Sequence, residues 1–120
     1  MRTIQASAIT DAIARLCIQA NTQLPPDVTA ALAQSLQAEP WPLAQEIIGR
    51  LSDNLQLSRS QNIPICQDTG MACVFVELGQ EVHIEGDFEL AIHDGVRHGY
   101  ESGFLRKSIV ADPLRRVNTE

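Results

Sequence analysis

"IPICQDTGMACVFVEL", residues 63 to 78, decides how this chain is read, because the spacing of apolar residues changes inside it. From Cys73 onward the period is two: Val74, Val76 and Leu78 point one way, and Cys73, Phe75 and Glu77 point the other, which is the pattern of a strand. Gly79-Gln80 suits a two-residue turn with glycine first, so a hairpin returning through Val82 and Ile84 is expected, with Cys73 packed in the sheet. Just upstream, Pro64 and Gly70 bracket a turn that carries Cys66, Gln67, Asp68 and Thr69. Side chains in such a turn converge on a ligand without having to serve a hydrogen-bond ladder.

Before this stretch the chain reads as helices punctuated by prolines. Ile9, Ile13, Leu16, Cys17 and Ala20 have the spacing of one buried helical face, with Thr10 or Asp11 as the expected cap and Cys17 as core filler. Pro25 and Pro26 suit the start of a second helix, Asp27 its first turn, and Val28, Leu32 and Leu36 its stripe, until Pro40 stops it. Pro42 opens a third, striped by Leu43, Ile47, Leu51 and Leu55 with Ile48 beside them, and the polar run Ser58 to Asn62 ends it.

After the expected hairpin, Asp87 caps a last helix with Phe88, Ile92, Val96 and then Tyr100 or Gly99 on one face. Gly95, Gly99 and Gly103 recur along it, each costing a helix about 1 kcal/mol relative to alanine. The recurrence has two readings: a face where another backbone approaches closely, or a shorter, frayed helix. The fold class expected is α+β, helices first, then a short β-hairpin and a further helix.

With 120 residues and 44% apolar content, the chain can bury one modest core, as a single domain or a piece of a larger one. No stretch is long and apolar enough to span a bilayer, and the N-terminus lacks the basic and apolar regions of a signal peptide, so a soluble, cytoplasmic protein without membrane contact is expected. Three cysteines without a CxxC spacing argue for reduced thiols or thiolate ligands over a disulfide framework. The net charge of −6 argues against nucleic acid as a partner. The charge is uneven, however: residues 97–120 hold five cations (Arg97, Arg106, Lys107, Arg115, Arg116) against three anions, whereas residues 1–96 hold four against twelve. The tail is either a receiver for a small anion or a solvated basic end.

For the turn itself, three chemistries are open. A nucleophilic Cys66 would want a histidine, and His83, His93 and His98 are the candidates. His93 and His98, five residues apart, fall on different helix faces and read as surface or interface residues. A zinc site needs three or four ligands, and no spacing here fits one. An iron–sulfur ligand is the third option, in which an iron without protein sulfur acts as a Lewis acid.

The runs "PICQDTGMACVFVELGQEVHI" (64–84), "GVRHGYESGFLRKSIVADPL" (95–114) and "DAIARLCIQANTQLPPDV" (11–28) together resemble the N-terminal part of the alpha subunit of the class I fumarate hydratases, which are iron–sulfur hydro-lyases. The most specific pieces are Cys66-Gln67-Asp68-Thr69-Gly70, shared with L-tartrate dehydratase, and Arg106-Lys107-Ser108 through Asp112-Pro113-Leu114, closer to the fumarases. The resemblance implies reversible hydration of fumarate to L-malate, a tricarboxylic acid cycle reaction, on a [4Fe-4S] cluster held by three cysteines. Cys66 matches the first cluster ligand, Gln67 a contact to a substrate carboxylate, Asp68 a catalytic polar group near a subunit boundary, and Arg106 a carboxylate clamp. The clamp agrees with its chemistry, since a guanidinium fork recognises a carboxylate in two-pronged fashion. By the same resemblance the catalytic subunit continues beyond the length of this chain and carries the other two cluster cysteines there. Residues 1–120 are then the N-terminal part of the alpha-type catalytic domain, working with a beta subunit or C-terminal domain in a homo-oligomer. L-tartrate dehydratase is the alternative within the family, and a non-catalytic packing or assembly module is the alternative outside it.

Overall fold

Pro26 and Pro42 each occupy the first turn of a helix, where a missing N–H is harmless, and they divide the N-terminal half as expected. The structure, a computed structural model, describes residues 1–119. Its elements run β1 (Arg2–Gln5), α1 (Ala6–Thr22), α2 (Pro26–Ala38), α3 (Pro42–Gln61), β2 (Val82–Glu85) and α4 (Phe88–Ser102). The class is α+β. Asp87 caps α4 as expected, its carboxylate accepting from the Leu90 N–H at 2.9 Å.

Three expectations need correction. First, α1 starts at Ala6, upstream of Thr10 and Asp11. Thr10 does not cap the helix; its hydroxyl lies 3.0 Å from the Ala91 carbonyl of α4, so it serves the contact between helices.

Second, there is no hairpin. Residues 71–79 form no ladder and are exposed, Cys73 included. The Gly79 turn does form, with the Val82 N–H donating to its carbonyl at 3.0 Å. But β2 leaves that turn to pair in parallel with β1, in the register Arg2↔Val82 to Gln5↔Glu85. The four residues Arg2–Gln5, too short to stand out in the sequence, capture β2 because Ile4 and Ile84 half-bury side by side and the Gln5 amide donates to the Glu85 carboxylate.

Third, the expected stripe of α3 is only partly its buried face, although the helix ends within the polar run Ser58 to Asn62 as expected, at Gln61, and closes on Asn62 in the left-handed region with φ of 57°. Its buried side carries Ser58 with Ile48 and Leu55 half-buried, while Leu43, Ile47 and Leu51 are each about half exposed.

The glycines of α4 settle between the two readings offered by the sequence. A Cβ on Gly95 would stand 2.6 Å from the Ile13 Cβ, and one on Gly99 would stand 2.8 Å from both the Ala14 carbonyl and the Cys17 Cβ. Gly103 ends the helix with its own Cβ position 2.9 Å from Ile18. The backbone that comes close belongs to α1 of the same chain, which makes α1 against α4 the main packing contact. Ile13, Ala91 and Leu105 are the buried apolar residues. The radius of gyration is 18.3 Å, against about 14 Å for a closed globule of this length, and the extents are 55 × 43 × 23 Å. The shape is an open plate.

Candidate active site

Ser58, on the buried face of α3, reaches two loops at once. Its Oγ lies 3.0 Å from the Thr22 carbonyl at the end of α1 and 2.6 Å from the Ile63 carbonyl. The Ile65 N–H donates to the Asn21 carbonyl at 2.8 Å, and the Asn54 side-chain amide donates to the Ile65 carbonyl at 2.9 Å. The ends of α1 and α3 thus hold the chain immediately before Cys66 on both sides.

Beyond this clamp the chain makes a tight turn with its side chains in water. Cys66, Gln67 and Asp68 are exposed. The Asp68 N–H points at the Cys66 sulfur at 3.4 Å, and the Asp68 Oδ1 accepts from the Gly70 N–H at 3.3 Å. Gly70 has φ of +63°, a conformation that the absence of a Cβ permits, and from it the chain enters the unpaired residues 71–79. The Thr69 hydroxyl donates to the Arg106 carbonyl at 3.0 Å, and the Tyr100 hydroxyl reaches the Gly70 carbonyl at 3.5 Å.

Arg106 is therefore held beside the turn by its own backbone. Leu105, buried against α4, anchors it from one side through its N–H donated to the Tyr100 carbonyl at 2.9 Å. Lys107 on the other side pairs with Glu101 at 3.1 Å. The Arg106 guanidinium is exposed and makes no hydrogen bond or ion pair among the described residues, which leaves its fork available. Two segments separated by more than thirty residues, each singled out in the sequence, meet at this one place.

The histidines do not join them. His83 lies on β2 and His93 and His98 on α4, all exposed; His93 approaches Glu89 at 3.9 Å, and none bonds to Cys66 or Asp68. Cys17 is half-buried beneath α4, and burial pushes its thiol above the ordinary 9.0. Among the described residues no three His, Cys, Asp or Glu side chains gather as a metal-binding group. An exposed thiol with a backbone N–H aimed at its sulfur fits the corner of an iron–sulfur cluster. One thiol is not a cluster site, so these residues fit such a group at a single corner.

A family model described as fumarate hydratase (Fumerase) matches residues 10–120. The chain belongs to the fumarate hydratase family. Among curated relatives, a putative L(+)-tartrate dehydratase subunit alpha of Methanocaldococcus jannaschii is 29% identical over 112 residues, covering 92% of this chain and 39% of that protein. The L(+)-tartrate dehydratase subunit alpha of Escherichia coli K12 is 29% identical over 111 residues, covering 92% of this chain and 36% of its own length. The chain spans less than two-fifths of the relatives it matches. Hydratase and dehydratase name the addition and removal of water, so the family's kind of chemistry is that of hydro-lyases.

Sequence reading missed the residues that position the turn. Ser58 carried a usable signal: it stands seven residues after Leu51 and three after Leu55, a polar residue on an apolar stripe. Asn21, Asn54 and Tyr100 carried none, because their bonds cross between elements whose placement the sequence does not state.

Proposed function

We propose that this chain is the N-terminal part of the alpha-type catalytic domain of a hydro-lyase that interconverts fumarate and L-malate. It supplies one cluster thiolate, Cys66, and three groups for the substrate. Arg106 holds one carboxylate in its fork, Gln67 donates its amide to a carboxylate oxygen, and Asp68 keeps Oδ2 available for proton traffic while Oδ1 fixes the turn. The other cluster ligands and the base that removes the carbon-bound proton belong to polypeptide outside these residues. A bound [4Fe-4S] cluster would supply a Lewis acid for the leaving hydroxide.

The observation that carries this reading is the Thr69 hydroxyl bonded to the Arg106 carbonyl, which brings the thiol turn and the basic segment to one place. The names of the relatives favour a second reading, L-tartrate as the diacid and a separate beta subunit as partner. The fumarate reading rests on the family description and on Arg106 through Leu114. A cytoplasmic enzyme, assembled as a homo-oligomer through surfaces such as the exposed row Leu43, Ile47 and Leu51, completes the proposal.

The test is turnover of L-malate and L-tartrate by the anaerobically reconstituted complete domain with its partner. Arg106→Lys keeps the charge and loses the fork, so kcat/KM for the true diacid should fall about 100-fold or more with the iron content unchanged. Unchanged kcat/KM in Arg106→Lys and Arg106→Ala alike would reduce Arg106 to surface charge. A preference for tartrate in the unaltered protein would move the substrate to the second reading.

A further inference from the structure

The segment Met71–Leu78 crosses an apolar groove of about 710 Å³ whose floor is α1 and α4, with Ile9, Ile13, Leu16, Phe88 and Ile92 among its lining. The segment carries the strand formers Val74, Phe75 and Val76 yet forms no ladder, and none of its backbone N–H or C=O groups bonds to another described residue. By the period-two alternation of its sequence Val74 and Val76 share one face and Phe75 lies on the other; Val74 and Val76 are 38% and 49% exposed, Phe75 95%.

A strand with apolar residues on both faces is built to be covered on both faces, and one with both edges unbonded needs a neighbour on each side. Pairing with a second copy about a two-fold axis would occupy one edge, leaving the other edge and the face of Phe75 open. A partner that satisfies both edges must bring at least two strands or a strand with a covering layer. The relatives carry more than half of their length outside the match, which is enough polypeptide to do so.

We propose that Met71–Leu78 is an interior strand of a larger sheet, flanked by strands from polypeptide equivalent to the part of the relatives that this chain does not match. The groove beneath is the seat of that polypeptide's apolar side chains. The Cys66–Gly70 turn, directly upstream, is then the loop at one end of an interior strand, where catalytic turns are held most rigidly.

Amide hydrogen exchange over residues 72–78 tests this, with the chain alone, with the unmatched portion of the Escherichia coli relative added in trans, and in a chimera where residues 10–120 replace the matched segment of that relative. Alone, these amides should exchange as in an unfolded chain at every protein concentration. In the mixture or the chimera they should slow by about 100-fold or more. Phe75→Lys leaves the isolated chain unchanged, since Phe75 is almost fully exposed, yet should weaken capture of the added polypeptide about tenfold or more. Protection in the chain alone that rises with its own concentration would assign the strand to a second copy. Fast exchange in both the mixture and the chimera would also overturn the proposal.

Discussion

Cys66 differs from the other two cysteines in what surrounds its sulfur. It has a backbone N–H aimed at it and lies in a turn whose approach is clamped by Ser58, Asn21 and Asn54, whereas Cys17 is wedged under Gly99 and Cys73 lies on the unpaired segment. In the complete, anaerobically reconstituted domain, Cys66→Ser should therefore abolish or severely weaken cluster absorbance, because a serine oxygen replaces a thiolate poorly on iron. Cys17→Ala and Cys73→Ala should keep it. Full absorbance in the Cys66 variant would remove the residue from the ligand set.

At the scale of elements, the seam between α1 and α4 is set by the glycines. Gly95→Ala adds a methyl group where Ile13 and the Thr10 carbonyl already stand, and neither helix can yield without opening the seam, so a loss of about 1–3 kcal/mol is expected in denaturant unfolding. Gly49→Ala, inside α3 with nothing within 4 Å of the new methyl, should instead stabilise by about 0.5–1 kcal/mol. Equal effects of the two substitutions would mean that helix propensity, not the close approach, governs these positions. The seam also titrates. Burial raises the Cys17 thiol above 9.0, and burial, with the charges of Cys17 and Cys73 behind it, raises Tyr100 above 10.0. The folded state binds these protons more tightly than the unfolded one, so the stability they provide is complete below the unfolded values and is lost as pH rises through the folded ones. Tm should fall over an interval that begins near pH 9.0 and continues past pH 10.0, less so in Cys17→Ala. A Tm that rises over this interval would contradict the assignment.

For the whole molecule, the open plate and the single suitable thiol lead to one expectation. The 120-residue polypeptide by itself should fold around α1 and α4 yet retain no [4Fe-4S] cluster and hydrate no fumarate, since one thiolate cannot hold four irons. Iron and sulfide analysis after anaerobic reconstitution checks this, together with a fumarate assay on the same sample. Four irons per chain with turnover would place the remaining ligands among residues now assigned to packing. Self-association through the α4 glycines is not expected, because α1 of the same chain already fills that face.

Local chemistry determined much of this protein from sequence alone. The prolines at the starts of α2 and α3, the Asp87 cap and the turn from Cys66 to Gly70 act within a few residues, and each is where it was expected. The same locality kept the segments around Cys66 and Arg106 recognisable as belonging to one family. Tertiary structure alone decided the choices between partners. β2 had two possible neighbours, the adjacent strand pattern at 73–78 and the distant Arg2–Gln5, and it pairs with the distant one, where Ile4 and Ile84 half-bury together. The stripe of α3 had two usable faces, and packing took the one with Ile48, Leu55 and Ser58. Which surface a strand or helix covers depends on the whole set of competing surfaces in the fold, and periodicity along one element carries no information about that competition.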